Sequence, residues 1–406
     1  MHSFAAWWQA MPGIRPLLKL SYTANWALDD SAVGFHALNL AVHGVNTLLV
    51  FQLLRRLAPQ VGVDAGAVRG AAFIAASIFA LHPAQTEAVT YVSGRSVSLM
   101  AMFALAGLFT YLEAEGGRWP IAWRVASVIS FAAALGVKEN AWALPLVLLL
   151  CEALRAGFHW HKFLARSAGH WAVLLCFAGL VLLVPAYGKL LDGSLQIRSL
   201  AENLLTQVNG VFYLITRPLL TLVVNADPDL PIYKTFTLEL AVQACALAGL
   251  LAVALWQGRS SAGSRWIGFG VLWFAVWLVP TNSILPRLDV ANDRQLYLAL
   301  IGPALIVAVL LSKLHAQRRF AGSVAIVLLV LVLSSATMLR NHAYRSEVAL
   351  WEHTSLVSPE KPRVWNNLGV ARQQAGDVDG ARRAYRQALV LDPAHWRARN
   401  NLDSLE

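Results

Sequence analysis

Runs of apolar residues, each close to the length of a membrane-crossing helix, follow one another through most of this 406-residue chain. Only 14% of the residues are charged, whereas a soluble domain carries about 25%. A segment that crosses lipid must satisfy its own backbone hydrogen bonds, and a helix does so locally. The sequence therefore predicts an all-α fold, a polytopic membrane helical bundle with about ten spans. The candidate spans are residues 35–54, 70–82, 97–113, 121–137, 140–155, 171–187, 237–256, 266–281, 294–312 and 321–339.

A further apolar stretch, residues 205–224, is interrupted by Asn209-Gly210 and Arg217-Pro218. The distribution of Lys and Arg indicates whether this stretch crosses the membrane, because short cytoplasmic loops carry an excess of these residues. If 205–224 does not cross, five alternate loops hold 13 Lys and Arg, and the other four hold eight over a greater length. We therefore predict an extracytoplasmic, interfacial segment 1–34, a membrane domain 35–339, and both termini on the extracytoplasmic side.

This topology places the compact polar motifs of the chain on the extracytoplasmic side. Charged groups beside hydrocarbon are costly and usually mark a functional site. Two interpretations remain open: each motif is a structural ion pair, or together they bind a charged, membrane-borne substrate. The motifs are Arg15-Pro16, His82 to Arg95, Lys138-Glu139, Asp227-Pro228-Asp229, and Asn292-Asp293-Arg294 with Tyr297.

The longest motif lies between the second and third candidate spans. Pro83 disfavours a helical conformation at His82 and can itself start a short helix. Glu87, Tyr91 and Arg95 then recur at i, i+4 and i+8. We therefore expect these three side chains to share one side of that helix.

Composition narrows the classes of partner. The net charge is +10, but Lys and Arg are scattered between spans, so nucleic-acid binding is not expected. The three cysteines lie in apolar runs without C-x-x-C spacing, which indicates neither a disulfide framework nor a metal site. Asp227 and Asp229 are candidate ligands for a divalent metal ion, although Pro228 between them fits a turn equally well.

The composition changes at residue 340, after which no apolar run is long enough to cross a membrane. Residues 362–395 fit the 34-residue tetratricopeptide repeat, and 342–357 resemble the second helix of a worn preceding repeat. So few repeats rarely form a stable unit alone. We therefore expect region 340–406 to pack on the membrane domain or to hold a protein partner, with a partnerless helical cap as the alternative. The residues that match the repeat pattern are Trp365, Leu368, Gly369, Ala381, Tyr385, Ala388 and Pro393.

Taken together, these motifs resemble the transmembrane and tetratricopeptide-repeat-containing O-mannosyltransferases and their bacterial relatives. The resemblance covers nearly the whole chain and rests on the order and spacing of the motifs. It implies a C-type glycosyltransferase fold that works on the extracytoplasmic side. It also implies a polyprenyl- or dolichyl-phosphate sugar as donor. The residues that carry it are Arg15-Pro16-Leu17, Phe35-His36, Asn39, His43, His82-Pro83, Glu87-Ala88-Val89, Gly94-Arg95, Lys138-Glu139, Asp227-Pro228-Asp229, Asn292-Asp293-Arg294 and Tyr297.

The resemblance also implies a chemistry. An acceptor hydroxyl attacks the anomeric carbon while a lipid phosphate leaves, which requires a carboxylate to take the proton and cations to stabilise the phosphate. Glu87 is expected to orient Arg95 or to transfer the proton. The residues expected to bind substrate or phosphate are Arg15, His82, Arg95, Lys138, Glu139, Asp293 and Arg294.

One departure from the family pattern is expected to matter. The family carries its catalytic acidic residue after a first span, upstream of the Arg-Pro segment. This chain begins after that point, and Asp29-Asp30 lie downstream of Arg15-Pro16. We therefore expect either a longer reading frame or an inactive homologue.

Three hypotheses from different classes remain open. The first is a sugar transferase that acts on proteins or envelope glycans. The second is a non-catalytic membrane scaffold that recruits a partner through its repeat. The third is a component of a lipid-linked glycan transporter, which should carry charged residues near mid-span rather than at one face. Compact loops and a single short repeat favour a bacterial inner membrane.

Overall fold

The computed structural model describes residues 15–116, 118–153, 158–217, 224–259 and 264–405. Within these ranges every regular element is helical and no strand occurs. Two segments singled out in the sequence lie partly outside these ranges. Residues 1–14 of the interfacial segment, and residues 218–223 of the interrupted apolar stretch, lie outside the described residues.

The helices follow one another with short connections. The first nine are α1 (Pro16–Leu28), α2 (Ala32–Leu57), α3 (Ala65–Leu81), α4 (Thr86–Val89), α5 (Arg95–Glu113), α6 (Pro120–Val137), α7 (Leu144–Ala153), α8 (Trp160–Leu183) and α9 (Pro185–Ile197). The next six are α10 (Leu200–Thr216), α11 (Leu238–Arg259), α12 (Arg265–Leu278), α13 (Leu296–Ala299), α14 (Ile301–Gln317) and α15 (Arg319–Ala343). The last four are α16 (Glu347–Val357), α17 (Pro362–Gln374), α18 (Val378–Leu391) and α19 (Trp396–Asp403). Four short 3₁₀ turns comprise Pro83–Gln85, Val92–Gly94, Glu139–Ala143 and Asp293–Gln295.

Six of the described helices are long and apolar enough to cross a membrane: α2, α5 with the turn before it, α6, α8, α11 and α15. Two further candidates are bent pairs, α3 with Pro83–Val89 and Asp293–Ala299 with α14, with bends of 50° and 57°. The predicted all-α, membrane-type fold is therefore confirmed. The count of ten spans stays a prediction, because α7 and α12 have only 10 and 14 residues.

Small residues bring neighbouring helices of the bundle close together. Gly270 of α12 lies against Gly302 of α14, so that a Cβ on Gly270 would come within 2.8 Å of the Gly302 carbonyl oxygen. Such close approaches favour helix association in lipid, where burial of apolar surface supplies little drive. The core of the bundle consequently contains many fully buried alanines beside its leucines.

The segment from Glu87 to Arg95 is not one helix, so the prediction of a shared helical face is wrong. Helix α4 ends at Val89, Tyr91 is extended with φ −74° and ψ 123°, and α5 begins only at Arg95. The chain folds back on itself here. A Cβ at Gly94 would come within 2.8 Å of the Ala88 carbonyl oxygen. The absence of a side chain at Gly94 therefore permits the sharp return that a continuous helix would have prevented.

Helix α10 covers residues 205–216 of the interrupted stretch 205–224. Asn203, near its start, donates to the carbonyl oxygens of Ser283 and Ile284 at 2.9 and 3.0 Å. Arg217, just after its end, pairs with Asp293 at 2.9 Å. Both ends of α10 therefore contact the single connection between α12 and α13, and the helix runs along that connection.

Arg95 is fully buried and holds α1 against the bundle. Its Nε donates to Asn39 Oδ1 at 2.7 Å, and its Nη2 donates to Asn25 Oδ1 at 2.6 Å. The guanidinium also lies over the rings of Tyr22 and Phe35, at 4.6 and 5.2 Å from their centroids. Contacts of this kind compensate a buried cation for its lost hydration. Arg95 thus joins α1, α2 and α5.

The repeat region forms antiparallel helices that pack on the membrane domain. Gly376 makes the turn between α17 and α18 with φ +84°, a conformation that favours glycine. A Cβ at Gly369 would come within 2.5 Å of the Tyr385 ring, so the small residue lets the two helices approach. The predicted packing of region 340–406 on the membrane domain is therefore observed, and binding of a protein partner by this region stays a prediction.

The docking contacts concentrate on one segment, residues 225–229. Asn225 Nδ2 donates to Ser358 Oγ at 2.9 Å, and the backbone N–H of Asp229 donates to the same oxygen at 3.1 Å. The buried carboxylate of Asp227 pairs with Lys361 Nζ at 2.6 Å and with Arg363. The Asp-Pro-Asp motif therefore attaches the repeat region to the membrane domain.

We predict that Arg95→Met loosens α1 without dispersing the bundle. The variant leaves the side-chain oxygens of Asn25 and Asn39 buried without their donors, which costs roughly 2–4 kcal/mol of α1 docking. Amide hydrogen exchange within Pro16–Leu28 should accelerate by about 30-fold or more. Arg69→Met, at an exposed arginine of α3, is the matched control. Unchanged exchange in the Arg95 variant would contradict this role.

Candidate functional site

Residues from five separate parts of the chain lie at one end of the helical bundle, at positions 15, 81–85, 139, 297 and 337. Gln85 Nε2 donates to the Tyr297 carbonyl oxygen at 3.3 Å, which joins the two bent connections. Arg15 donates to Glu139 through Nε at 2.9 Å and through Nη2 at 2.5 Å. Thr337 Oγ1 of α15 donates to the Leu81 carbonyl oxygen at 2.7 Å. Lys138, the neighbour of Glu139, lines one small cavity together with Arg294 and Tyr297, so these motifs lie near one another in space.

Arg294 is the centre of this cluster. Its Nε lies 3.3 Å from Glu87 Oε1, and its backbone N–H donates to Glu87 Oε2 at 3.1 Å. Its Nη2 donates to Asp289 Oδ2 at 2.9 Å. Glu87 therefore orients Arg294, whereas the sequence had suggested that it orients Arg95.

Asp293, the neighbour of Arg294, is almost fully buried with a side-chain exposure of 2%. Arg217 contacts both of its oxygens, at 2.9 and 3.0 Å, and Arg340 Nη2 contacts Oδ2 at 2.8 Å. A buried carboxylate needs such compensation. Asp293 joins α10, α13 and α15, and Arg217 and Arg340 are the partners that the sequence did not reveal.

A small cavity of about 30 Å³ lies beside Arg294. Three basic side chains line it, Lys138, Arg287 and Arg294, together with Asn140 and Asn292. Arg287 was missed by the sequence reasoning. The available signal was its position in the same short connection as Arg294, six residues after the end of a candidate span.

Lys138 is buried, with 5% of its surface exposed. Its Nζ donates a long hydrogen bond, 3.4 Å, to Ser96 Oγ. Within the described residues, neither Lys138 nor Arg287 forms an ion pair. Burial, followed by repulsion from Arg287, Arg15 and Arg294, lowers the pKa of Lys138 well below its ordinary value. Crowded cations of this kind favour the binding of an anion.

Glu139 and Arg15 lie on the edge of this basic group. Burial is the largest influence and acts to raise the pKa of Glu139, but attraction to Arg15, hydrogen bonds and attraction to Lys138 together hold the pKa below its ordinary value. Glu139 is therefore ionised and partly neutralises the basic cluster. Arg15 stays close to Lys138 because Glu139 holds it.

Two further candidates, His82 and Asp227, form a hydrogen bond and ion pairs with other residues of the chain. His82 is buried, and its Nδ1 accepts from the backbone N–H of Ala84 at 3.1 Å, which caps the 3₁₀ turn. Asp227 is paired with Lys361 and Arg363, and two cations beside a carboxylate disfavour a divalent metal. Among the described residues, no group of three or more His, Cys, Asp or Glu is arranged to hold a metal. A metal at Asp227 and Asp229 stays a prediction.

A second, larger cavity of about 350 Å³ lies between the membrane domain and the repeat region. Glu87, Asp289 and Arg294 line it from the membrane domain, and Trp351, Arg363, Asn366, Asn367 and Arg397 line it from the repeat region. Its volume is typical of a ligand-binding cleft. Arg294 lines both cavities and therefore separates them.

The chain is similar to known proteins both in its repeat region and over most of its length. Residues 362–395 match the family model of the tetratricopeptide repeat. Protein O-mannosyl-transferase F38B6.6 of Caenorhabditis elegans is 23% identical over 94% of this chain and 54% of its own length. Protein O-mannosyl-transferases TMTC3 and TMTC4 of Mus musculus are 24% and 25% identical, over 93% and 92% of this chain and 44% and 57% of theirs.

The homologues of this chain are protein O-mannosyl-transferases. The suspected family and the predicted repeat are thereby confirmed. The chain spans about half the length of the curated relatives it matches. No solved structure matches it.

We predict that an anion binds the small cavity in a pH-dependent way. Because the pKa of Lys138 is lowered, the amine loses its proton as pH rises through that lowered pKa, and the affinity for an anion falls. Below it the affinity should be constant. Calorimetric titration in detergent with a short-chain dialkyl phosphate, a diester that stays a monoanion across this pH range, should show this fall. Proton uptake on binding should occur in the same pH window, because the bound anion raises the pKa of Lys138 back toward its ordinary value.

Lys138→Met is the matched control for this titration. It removes the titrating amine and should leave weaker binding without proton uptake in that window. An unsubstituted protein whose affinity is independent of pH up to the ordinary pKa range of lysine would contradict the assignment.

Proposed function

We propose that this chain transfers a hexose, mannose in the names of its relatives, from a polyprenyl-phosphate donor to a protein acceptor. The observation that carries the proposal is the group of three basic side chains around the small cavity, beside a larger polar cleft. A lipid phosphate is an anion whose apolar tail remains in the membrane, so it suits a basic site at the end of a bundle of apolar helices. The homologues support a glycosyltransferase that acts on proteins.

Lys138, Arg287 and Arg294 bind the phosphate in this proposal. The acceptor oxygen forms a bond to the anomeric carbon as the bond from that carbon to the phosphate oxygen breaks. The electron pair of the broken bond stays on the phosphate, where the three cations stabilise it. Arg15 contributes positive charge to the site because it lies close to Lys138, and Glu139 positions Arg15.

Two carboxylates are placed to receive the proton of the acceptor hydroxyl, Glu87 and Asp289. Burial acts to raise the pKa of Asp289, but Arg363 and Arg294 outweigh it and hold the pKa below its ordinary value. Glu87 contacts one guanidinium where Asp289 contacts two. A base works best when its pKa is near the working pH, so we assign the proton to Glu87.

Arg95 has a positioning role in this proposal. Four hydrogen bonds occupy its guanidinium, to Asn39, Asn25 and the carbonyl oxygens of Ser21 and Phe35. It holds α1, whose first turn follows Arg15. Arg95 therefore supports the basic site through the placement of Arg15, and its direct binding of phosphate stays a prediction from the sequence.

We predict that Lys138→Met and Arg294→Met each lower the rate of mannose transfer by about 100-fold or more, because each removes a cation from the developing charge on phosphate. The measurement is transfer of radiolabelled mannose from polyprenyl phosphate mannose to a Ser- and Thr-containing peptide. Arg69→Met is the control, since Arg69 lies at the opposite end of α3 from this cluster. Normal rates in both site variants would refute the assignment and favour the scaffold hypothesis.

The same proposal places the site on the extracytoplasmic side of the membrane, in a bacterial inner membrane, with both termini on that side. Reporter fusions after Arg56 and Gly258 should then give a cytoplasmic signal, and a fusion after Glu406 an extracytoplasmic one, because the Lys- and Arg-rich short loops stay inside. A cytoplasmic signal from the last fusion would contradict the placement of the repeat region.

A further inference from the structure

The larger cavity differs in its electrostatics from the small one. The described part of its lining contains three acidic and three basic side chains, and most of them are already paired with one another or with Lys361. Among the residues that the structure describes, the small cavity is lined by three basic side chains and by no acidic one. The larger cavity is therefore suited to an uncharged, polar ligand. Its charged lining residues are Glu87, Asp227, Asp289, Arg294, Arg363 and Arg397.

The repeat region supplies groups that suit a polypeptide. Asn366 is buried and tied to its neighbours, since Asn401 Nδ2 donates to its Oδ1 at 3.1 Å and its own Nδ2 donates to Asn367 Oδ1 at 3.3 Å. Within the described residues, the Nδ2 of Asn367 donates no hydrogen bond. Trp351 Nε1 donates to Glu347 Oε2 at 3.2 Å, which fixes the indole while its ring borders the cavity. An amide donor beside a fixed aromatic ring can bind a peptide backbone and one of its side chains.

The cleft has a defined relation to the donor site. Arg294 and Glu87 border it on the side of the membrane domain, and of the described residues Arg294 is the one that lines both cavities. A hydroxyl bound beside Glu87 would therefore lie next to the phosphate site. A lipid does not suit this cleft, because six of the described residues that line it carry charged side chains.

We propose that the cleft between the repeat region and the membrane domain is the acceptor site, and that it binds an extended polypeptide with a Ser or Thr hydroxyl directed toward Glu87. Asn367 binds the peptide backbone, and Trp351 packs against a side chain of the peptide. The identity of the reacting hydroxyl rests on the proposed function. Binding of the peptide does not, because it needs no sugar donor.

The test uses the full chain in detergent and a synthetic Ser- and Thr-rich peptide with a central photoreactive benzoylphenylalanine, without donor. Irradiation should cross-link the peptide to the unsubstituted protein at residues that border the cleft. Asn367→Ala combined with Trp351→Ala should raise the peptide concentration needed for half-maximal cross-linking by about tenfold, since it removes a polar contact and an aromatic anchor.

Asn400→Ala is the matched control, an exposed asparagine on the neighbouring helix α19, and it should cross-link like the unsubstituted protein. Binding of dialkyl phosphate at the small cavity is measured in the same preparations. It should be equal in all of them, which also shows that each variant is folded.

Failure of the acceptor site and failure of the proposed function give different results. Absence of cross-linking in the unsubstituted protein, cross-links that map away from the cleft, or equal cross-linking in the double variant would overturn the acceptor site. Cross-linking at the cleft without mannose transfer would leave the acceptor site standing and refute the transferase.

Discussion

The two ion pairs of Asp293 are the interaction on which the arrangement of the site depends. A carboxylate with 2% exposure, next to apolar helices, is stable only while cations compensate it. Arg217 and Arg340 lie far apart in the chain, and both pair with the carboxylate of Asp293. This triad fixes the backbone of Asp293, and therefore the position of Arg294 beside it. It also fixes the end of α15, from which the chain continues into the repeat region. The buried carboxylate of Asp293 therefore determines the positions of the basic cavity, the larger cleft and the docked repeat region.

The sequence predicted those features that depend on local pattern. Runs of apolar residues are sufficient to indicate helices in lipid, and the seven repeat positions are sufficient to indicate the antiparallel pair α17 and α18. The bend after Leu81 also follows from a local cause, because Pro83 excludes a helical His82. The region from Glu87 to Arg95 shows the limit of such reasoning. Regular spacing indicated a continuous helix, but the return of the chain at Gly94 depends on contacts with the rest of the bundle.

The pairing of charged side chains could not be predicted from spacing. Arg95 was expected beside phosphate, and the structure surrounds it with Asn25, Asn39 and two aromatic rings. Asp227 was a candidate metal ligand, and Lys361 and Arg363, more than 130 residues later, take its oxygens. Ion pairs over such distances are set by the packing of helices, to which a local motif contributes little. What the sequence did indicate is that charges this close to apolar spans require partners.

The position of Arg294 between two cavities has a consequence for the timing of the proposed reaction. The Arg294 guanidinium pairs with Glu87 and also lines the proposed phosphate site, so in the proposed reaction two anions would compete for the same positive charge. As the bond to the lipid breaks, the growing charge on phosphate draws Arg294 toward it and weakens its hold on Glu87. The carboxylate then becomes a stronger base at the moment when the attacking hydroxyl becomes more acidic. A single arginine would thus synchronise departure of the lipid with removal of the proton, and an empty donor site would leave Glu87 a weaker base toward water.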